Sequence, residues 1–78
     1  MTFVVAITKD RQPRSFRFQV RPGYSQPPVA TSRAVPDPSK ARREAERIFG
    51  PATWEDPGQH GVTDEYVVQV AIYEVSHG

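Results

Sequence analysis

The chain contains no cysteine, no leucine and no asparagine among its 78 residues. Without cysteine it has no disulfide, no zinc–thiolate site and no thiol chemistry. Its longest apolar runs fall far short of the ~20 residues that a helix needs to cross a bilayer. The first residues, MTFVVAITKDR, lack the basic start and the cleavage site of a signal peptide. We therefore expect a cytoplasmic protein, in the virion or host cytoplasm if a phage encodes it, with no membrane partner.

Motifs for catalysis and cofactor binding are also missing. The five glycines are scattered and form neither a dinucleotide fingerprint nor a phosphate-binding loop. Ser76 and His77 are adjacent, but no third group is positioned to activate them. Glu55 and Asp56 lie in a turn, where paired carboxylates are normally solvated. We therefore expect no enzyme, no cofactor and no small-molecule substrate.

The sequence gives only weak support for a metal site. Asp56, His60 and Asp64 are evenly spaced and carry oxygen and nitrogen ligands. A proline and two glycines lie between them, so the spacing does not place them on one face of a helix. We expect these residues to be solvated loop side chains that bind no metal.

Basic residues are missing from the whole C-terminal part of the chain. All ten lie at or before Arg47, with four acids, which gives this region a net charge of +6. From Ile48 onward there are five acids and no base, a net charge of −5. This asymmetry bears on partners rather than on fold. The abundance of arginine over lysine, with many prolines, alanines and valines, favours a GC-rich source such as a high-GC bacterium or its phage.

Two segments near the N-terminus predict an antiparallel hairpin. TFVVAIT, residues 2–8, is apolar on both sides, as in a central strand. RSFRFQVR, residues 14–21, alternates, with two phenylalanines and a valine on one side. The polar turn KDRQP joins the two strands. The other side of the second strand carries Arg17, Gln19 and Arg21, and what these side chains bind is the main question that the sequence poses.

The segment DPSKARREAERIFGP, residues 37–51, predicts a helix. Asp37 can cap its first amides, and Pro38 suits the first helical position. Gly50, followed by proline, ends it. The apolar stripe comprises Ala41, Ala45, Ile48 and Phe49. We expect the alanines to allow close approach to the sheet and the two larger residues to anchor the helix.

A third strand is predicted at EYVVQVAIYEV, residues 65–75, with its more apolar side toward the helix. That side comprises Tyr66, Val68, Val70 and Ile72. The predicted fold is α+β, a β-β-α-β chain whose three-stranded antiparallel-type sheet has the order 2-1-3, with one helix packed on one face. A single domain would span residues 1–78, with a long proline-rich loop at 22–36 and an acidic loop at 51–64.

One face of such a sheet would have no helix over it, and an uncovered face is a candidate binding surface. Arginine, tyrosine and tryptophan are enriched at interface hot spots. The candidate contacts are Arg17, Gln19, Arg21 and Tyr73 on the open face, and Trp54, Glu55 and Asp56 in the acidic loop. The sequence thus favours a small non-enzymatic protein-binding module, either a minor subunit of a larger assembly or an inhibitor that docks on a larger complex. Its partner would be another protein or a second copy.

Two alternatives stay open. The first is a nucleic-acid-binding accessory protein whose arginines contact phosphates. The arginines concerned are Arg11, Arg14, Arg17, Arg21, Arg42, Arg43 and Arg47. A pI near 8.2 is lower than such binders usually have. The second alternative concerns Trp54, which would close the end of the small core rather than contact a partner.

Overall fold

The computed structural model describes residues 1–11 and 15–75 of the chain. Its elements, in chain order, are β1 (Thr2–Lys9), β2 (Phe16–Arg21), β3 (Ala30–Thr31), α1 (Pro38–Phe49), a 3-10 helix (Pro57–His60) and β4 (Val67–Glu74). The predicted α+β class, with one α-helix and an antiparallel sheet, is confirmed over these residues. None of the helices in the described ranges is long and apolar enough to cross a membrane.

The predicted strand number and order are wrong. The sheet that the described residues form has four antiparallel strands in the order β3-β2-β1-β4, not three in the order 2-1-3. The additional strand lies in the segment predicted as an irregular loop. It forms because this segment follows the free edge of β2, where the Val29 N–H donates to the Val20 carbonyl at 2.8 Å. Two residues among prolines carry too little periodicity for a sequence-based prediction.

The helix lies where its capping residues predict. The Asp37 carboxylate accepts the Lys40 N–H at 3.0 Å, and Pro38 is the first helical residue. Gly50 ends the helix at a φ of 104°, a backbone conformation that residues with a Cβ rarely adopt. The alanine stripe is buried, but the prediction that Ile48 anchors the helix is wrong, since Ile48 is 56% exposed. The narrow stripe reaches the sheet only through the alanines and the last aromatic residue.

The face of the sheet toward α1, here called the helix face, carries the main core. The buried residues of this core are Val5, Ile7, Phe18, Ala41, Ala45, Ala71 and Tyr73. An aromatic cluster closes one end, with the Phe3 and Tyr73 rings stacked at 5.3 Å and the Phe49 ring edge-on to Phe3 at 5.1 Å. The inward side of β2 faces this core, as its alternation predicts.

Over residues 70–73 the two sides of β4 are the reverse of the prediction, whereas Val68 packs against the helix-face core as predicted. Ala71 and Tyr73 face the helix, whereas Val70 is buried on the other side and Ile72 is 50% exposed there. The register decides this, because Val5 pairs with Ala71 and both must point to the same face. Tyrosine can be buried at this position because its hydroxyl donates to the Gly50 carbonyl at 3.0 Å. Counting apolar residues on each side does not anticipate that bond.

The other face of the sheet, here called the far face, is covered as well, so the prediction of an uncovered sheet face is wrong. A second core cluster there comprises Val4, Ala6, Val67 and Val70, with Tyr24 and Val62 packed against it. Tyr24 belongs to the proline-rich segment, and Val62 belongs to the acidic loop. Two loops therefore cover the far-face cluster, just as α1 covers the helix face.

Candidate functional site

A cationic groove runs between residues 33–36 and α1. It has a volume of about 460 Å³ and is lined by Arg33, Ala34, Val35, Pro36, Lys40, Arg43, Glu44 and Arg47. Four of these side chains are basic and one is acidic, so the fully ionised groove has a net charge of +3. A short apolar strip, from Ala34 to Pro36, lies among the charges. We call this site the cationic groove.

Both walls of the cationic groove are fixed by the fold. One wall is held at Val35, which exchanges two backbone hydrogen bonds of 2.8 Å with Phe16 at the edge of β2. The other wall is α1, which the Asp37 cap and the buried alanine stripe hold against the sheet. The spacing of Lys40, Arg43 and Arg47 along the helix puts them on one side of it. The groove therefore needs no rearrangement to present its charges.

Glu44 connects the two walls. Its carboxylate accepts from Arg33 Nη2 at 3.3 Å and from Arg47 Nη2 at 2.7 Å. The hydrogen bond from Arg47, and then that from Arg33, holds the pKa of the Glu44 carboxyl below its usual value. The two arginine side chains are nevertheless 82% and 74% exposed. Lys40 and Arg43 form no ion pair with any described residue. Most of the positive charge is therefore available to a partner.

The helix arginines do not form one basic face. Arg43 and Arg47 line the cationic groove, whereas Arg42 points to the sheet and donates to the side-chain oxygen of Gln69. The sequence analysis missed Arg33 and Lys40 as site residues. Lys40 was detectable, because it lies three and seven residues before Arg43 and Arg47. Arg33 reaches the groove only through the edge contact with β2.

The side chains that β2 directs to the far face bind the protein itself. Arg17 donates to the Asp10 carboxylate at 3.2 Å and to the Ser32 carbonyl at 3.4 Å. Arg21 is only 8% exposed and donates to Gln19 and to the Tyr24 carbonyl. These three predicted contact residues thus have hydrogen-bond partners within the chain.

Two aromatic residues proposed as contacts belong to the helix face. The prediction that Tyr73 lies on an open face is wrong, because it is buried under the helix beside Gly50. Burial first, and the Glu46 carboxylate second, raise the pKa of its hydroxyl. Trp54 is half-buried against the same core, and its Nε1 donates to Glu46 Oε1 at 2.6 Å. Its packing favours the interpretation of Trp54 as a core residue.

The acidic loop is tied to the sheet and to the proline-rich segment. Glu55 pairs with Val70 at the outer edge of β4 through two backbone hydrogen bonds of 2.8 and 3.0 Å. Asp56 caps the 3-10 helix by accepting the Gly58 N–H at 2.9 Å. The His60 ring stacks on Tyr24 at 4.3 Å with an interplanar angle of 2°. Glu55 and Asp56 therefore have structural partners in the loop.

His60 and Tyr24 sit close to the Glu55 carboxylate. The His60 Nε2 lies 3.3 Å from Glu55 Oε1, but this geometry does not make a hydrogen bond, and the buried nitrogen has no other partner among the described residues. Burial first, and the Glu55 charge second, raise the pKa of the Tyr24 hydroxyl. In residues 1–11 and 15–75 no three His, Asp or Glu side chains come together to hold a metal ion.

The arginines of the nucleic-acid alternative are dispersed over the structure. Arg11 follows the end of β1 and lies over the Tyr66 ring at 5.8 Å. It is not part of the groove lining. Arg14 lies outside the described residues. Of the six arginines in that set that the structure describes, the groove lining includes only Arg43 and Arg47. The described arginines of this set do not line a single groove along which phosphates could bind.

No protein-family model, curated protein or solved structure matches this chain. The cationic groove is therefore the observation from which its function is inferred.

Proposed function

We propose that this chain is a non-enzymatic protein-binding module whose cationic groove docks on an acidic segment of a protein partner. The observation that carries this proposal is the convergence of four basic side chains on one preformed groove with a single carboxylate in it. Such a module acts as a minor subunit of a larger assembly or as an inhibitor that docks on a larger complex.

The lining of the groove suits a peptide better than a simple ion. Guanidinium groups bind carboxylates with two parallel hydrogen bonds, and Arg33, Arg43 and Arg47 supply three such groups. The strip at Ala34–Pro36 offers contact for an apolar side chain between the acids. A segment that alternates acidic and apolar residues satisfies both features.

Glu44 acts as an internal competitor for the partner. It neutralises part of the charge of Arg33 and Arg47 in the free protein. An incoming carboxylate has to share these arginines with it. Because these arginines are exposed, salt screens their attraction to the carboxylates of the partner. This attraction therefore contributes mainly to the rate of association.

Nucleic acid is the second class of polyanion that a basic groove attracts, but two observations disfavour it. The aromatic residues that could stack on bases are engaged: Tyr73 and Trp54 in the core, and Tyr24 on His60. The net charge of the whole chain is only +1. These observations favour protein binding, and nucleic-acid binding is an outcome of the test.

The proposal is tested by NMR titration of the ¹⁵N-labelled chain with a peptide that alternates glutamate and valine. We expect saturable amide shifts confined to residues 33–35 and 40–47. The double variant Arg43→Gln/Arg47→Gln should weaken binding about tenfold, since each exposed charge contributes up to about 1 kcal/mol. The variant Glu44→Gln should bind about two- to fivefold more tightly, because the competitor is gone.

The matched control is Lys9→Gln/Arg11→Gln, which removes the same charge outside the groove and should leave the affinity nearly unchanged. An equal loss in this control would mean that only net charge matters, and it would contradict docking in the groove. Tighter binding of single-stranded or duplex DNA of matched charge, with a salt slope near −0.9 per phosphate on the duplex, would favour the nucleic-acid function instead.

A further inference from the structure

Arg21 is a buried charge without a charged partner. Its Nε and Nη2 donate to Gln19 Oε1 at 3.2 and 2.9 Å, and its Nη1 donates to the Tyr24 carbonyl at 3.2 Å. Both partners are neutral, and none of the ion pairs found in the described ranges involves Arg21. Buried charges are normally paired, because an unpaired one loses its hydration without compensation. A guanidinium has five N–H groups, so one remains on each Nη atom.

Arg21 also lines a small polar pocket on the far face. The pocket has a volume of about 230 Å³, and its lining includes Arg21, Tyr24, Ser25, Thr63 and Asp64. One wall comes from the proline-rich segment and the other from the end of the acidic loop. The stacked rings of Tyr24 and His60 hold these two walls together. This pocket, here called the Arg21 pocket, is separate from the cationic groove, with which it shares no lining residue.

Asp64 brings the opposite charge to the same pocket. Its Oδ1 accepts the Tyr66 N–H at 2.9 Å, and no hydrogen bond to a described residue uses its Oδ2. Arg21 and Asp64 line one cavity without forming an ion pair, so the guanidinium nitrogens and the carboxylate oxygens lie more than 4.0 Å apart. A simple anion would meet the Asp64 carboxylate, and a simple cation would meet the Arg21 guanidinium. A molecule that carries both charges satisfies both groups.

We propose that the Arg21 pocket binds a small zwitterion of the amino-acid class, with its carboxylate on Arg21 and its ammonium group on Asp64. The hydroxyl groups of Ser25 and Thr63 add hydrogen-bonding partners. The volume is below the range of about 300–1,000 Å³ typical of sites for drug-sized ligands, which limits the occupant to a small molecule. The proposal concerns binding and not turnover.

The test is an NMR titration of the ¹⁵N-labelled full chain with glycine and L-serine, and separately with acetate and methylammonium. We expect saturable shifts at residues 24–25 and 61–64 with both amino acids. The single-charge compounds should bind at least tenfold more weakly. The variant Asp64→Asn keeps the Oδ1 acceptor for the Tyr66 N–H but removes the charge, and it should weaken glycine binding tenfold or more. Glu65→Gln, which removes the neighbouring charge outside the lining, should leave glycine binding unchanged.

The absence of a saturable shift with either amino acid would overturn the proposal, and so would acetate binding as tightly as glycine. Because Arg21→Gln alters a buried residue and can impair folding, Asp64→Asn is the deciding variant, and unchanged glycine binding in it would also overturn the proposal. The groove variant Arg43→Gln/Arg47→Gln should bind glycine normally. The two sites therefore succeed or fail independently.

Discussion

The helix face and the far face of the same sheet are both covered, but by different kinds of contact. On the helix face, α1 brings two buried alanines and the Phe49 ring against a dry cluster of aliphatic and aromatic side chains. On the far face, two loops bring Tyr24 and Val62 over a smaller cluster and enclose the buried Arg21 beside a cavity. The helix face has the larger apolar core, and the far face combines a smaller core with a buried arginine.

The helix face contributes mainly to stability, whereas the far face contains a candidate binding pocket. Apolar burial on the helix face supplies the larger share of the stabilisation, at about 25 cal/mol per Å² of apolar surface removed from water. The loops over the far face have fewer such contacts, and segments of this kind open locally at lower free energy than the core does. The cationic groove lies beside the better-packed face, whereas the Arg21 pocket lies between loops.

The largest effect is expected from Phe18→Ala on the helix face. Phe18 is buried and packs edge-on against Phe49 at 6.0 Å, so its truncation leaves a cavity in the main core. We expect the free energy of unfolding to fall by about 3–5 kcal/mol. Chemical denaturation followed by circular dichroism measures this. Phe18→Leu is the control and should lose much less. A loss below 1 kcal/mol for the alanine variant would contradict the assignment of the main core to this face.

A smaller and more local effect is expected from Tyr24→Ala on the far face. This change removes the stack on His60 and a contact with the second cluster, at an expected cost of about 1–2 kcal/mol. Hydrogen exchange should accelerate at residues 60–62 while α1 keeps its protection. His60→Phe retains a stacking ring and serves as the control. Equal acceleration in α1 would mean that the two faces do not open separately.

The smallest effect is expected at the helix N-terminus, and it depends on pH. The Ser39 hydroxyl, followed by the Lys40 N–H, lowers the pKa of the Asp37 carboxyl. Its capping contribution is therefore fully present above the unfolded pKa of about 3.9 and disappears as the pH falls through the lower folded value. Asp37→Ala should reduce Tm by a few degrees at pH 7 and by less at pH 2. Asp37→Asn keeps a capping oxygen but removes the charge, so its Tm loss at pH 7 should be smaller than that of Asp37→Ala. A Tm loss that is the same at both pH values would contradict a role of the ionised carboxylate.

Local sequence signals were sufficient for the elements that depend on neighbouring residues. Asp37, Pro38 and Gly50 gave the limits of the helix, because capping involves groups only a few positions apart. The alternation in β2 gave its inward side, and the hairpin with β1 followed from the short polar turn. The charge asymmetry also pointed to the N-terminal region that contains the cationic groove.

The candidate sites could not be predicted in the same way. Arg33 lines the groove only because Val35 is bonded to the edge of β2, and Arg21 is buried only because Tyr24 folds over the far face. Both contacts, that of Val35 with β2 and that of Tyr24 with the far-face cluster, bring together residues that are far apart in the sequence and belong to no common periodic pattern. The arginines of the SFRFQVR strand were correctly predicted to point away from the helix-face core, but the burial of Arg21 and the partners of both arginines were not predictable.

The sequence by itself determined the α+β class, the position of the helix, the facing of β2 and the concentration of positive charge before Ile48. The tertiary structure decided the fourth strand, the facing of β4, the cover over the far face and the shape of both binding sites. The physical reason is how far apart along the chain the interacting residues lie. Caps and alternation depend on bonds within a few residues, whereas edges, covers and pockets depend on contacts between distant segments, whose register and packing only the folded chain fixes.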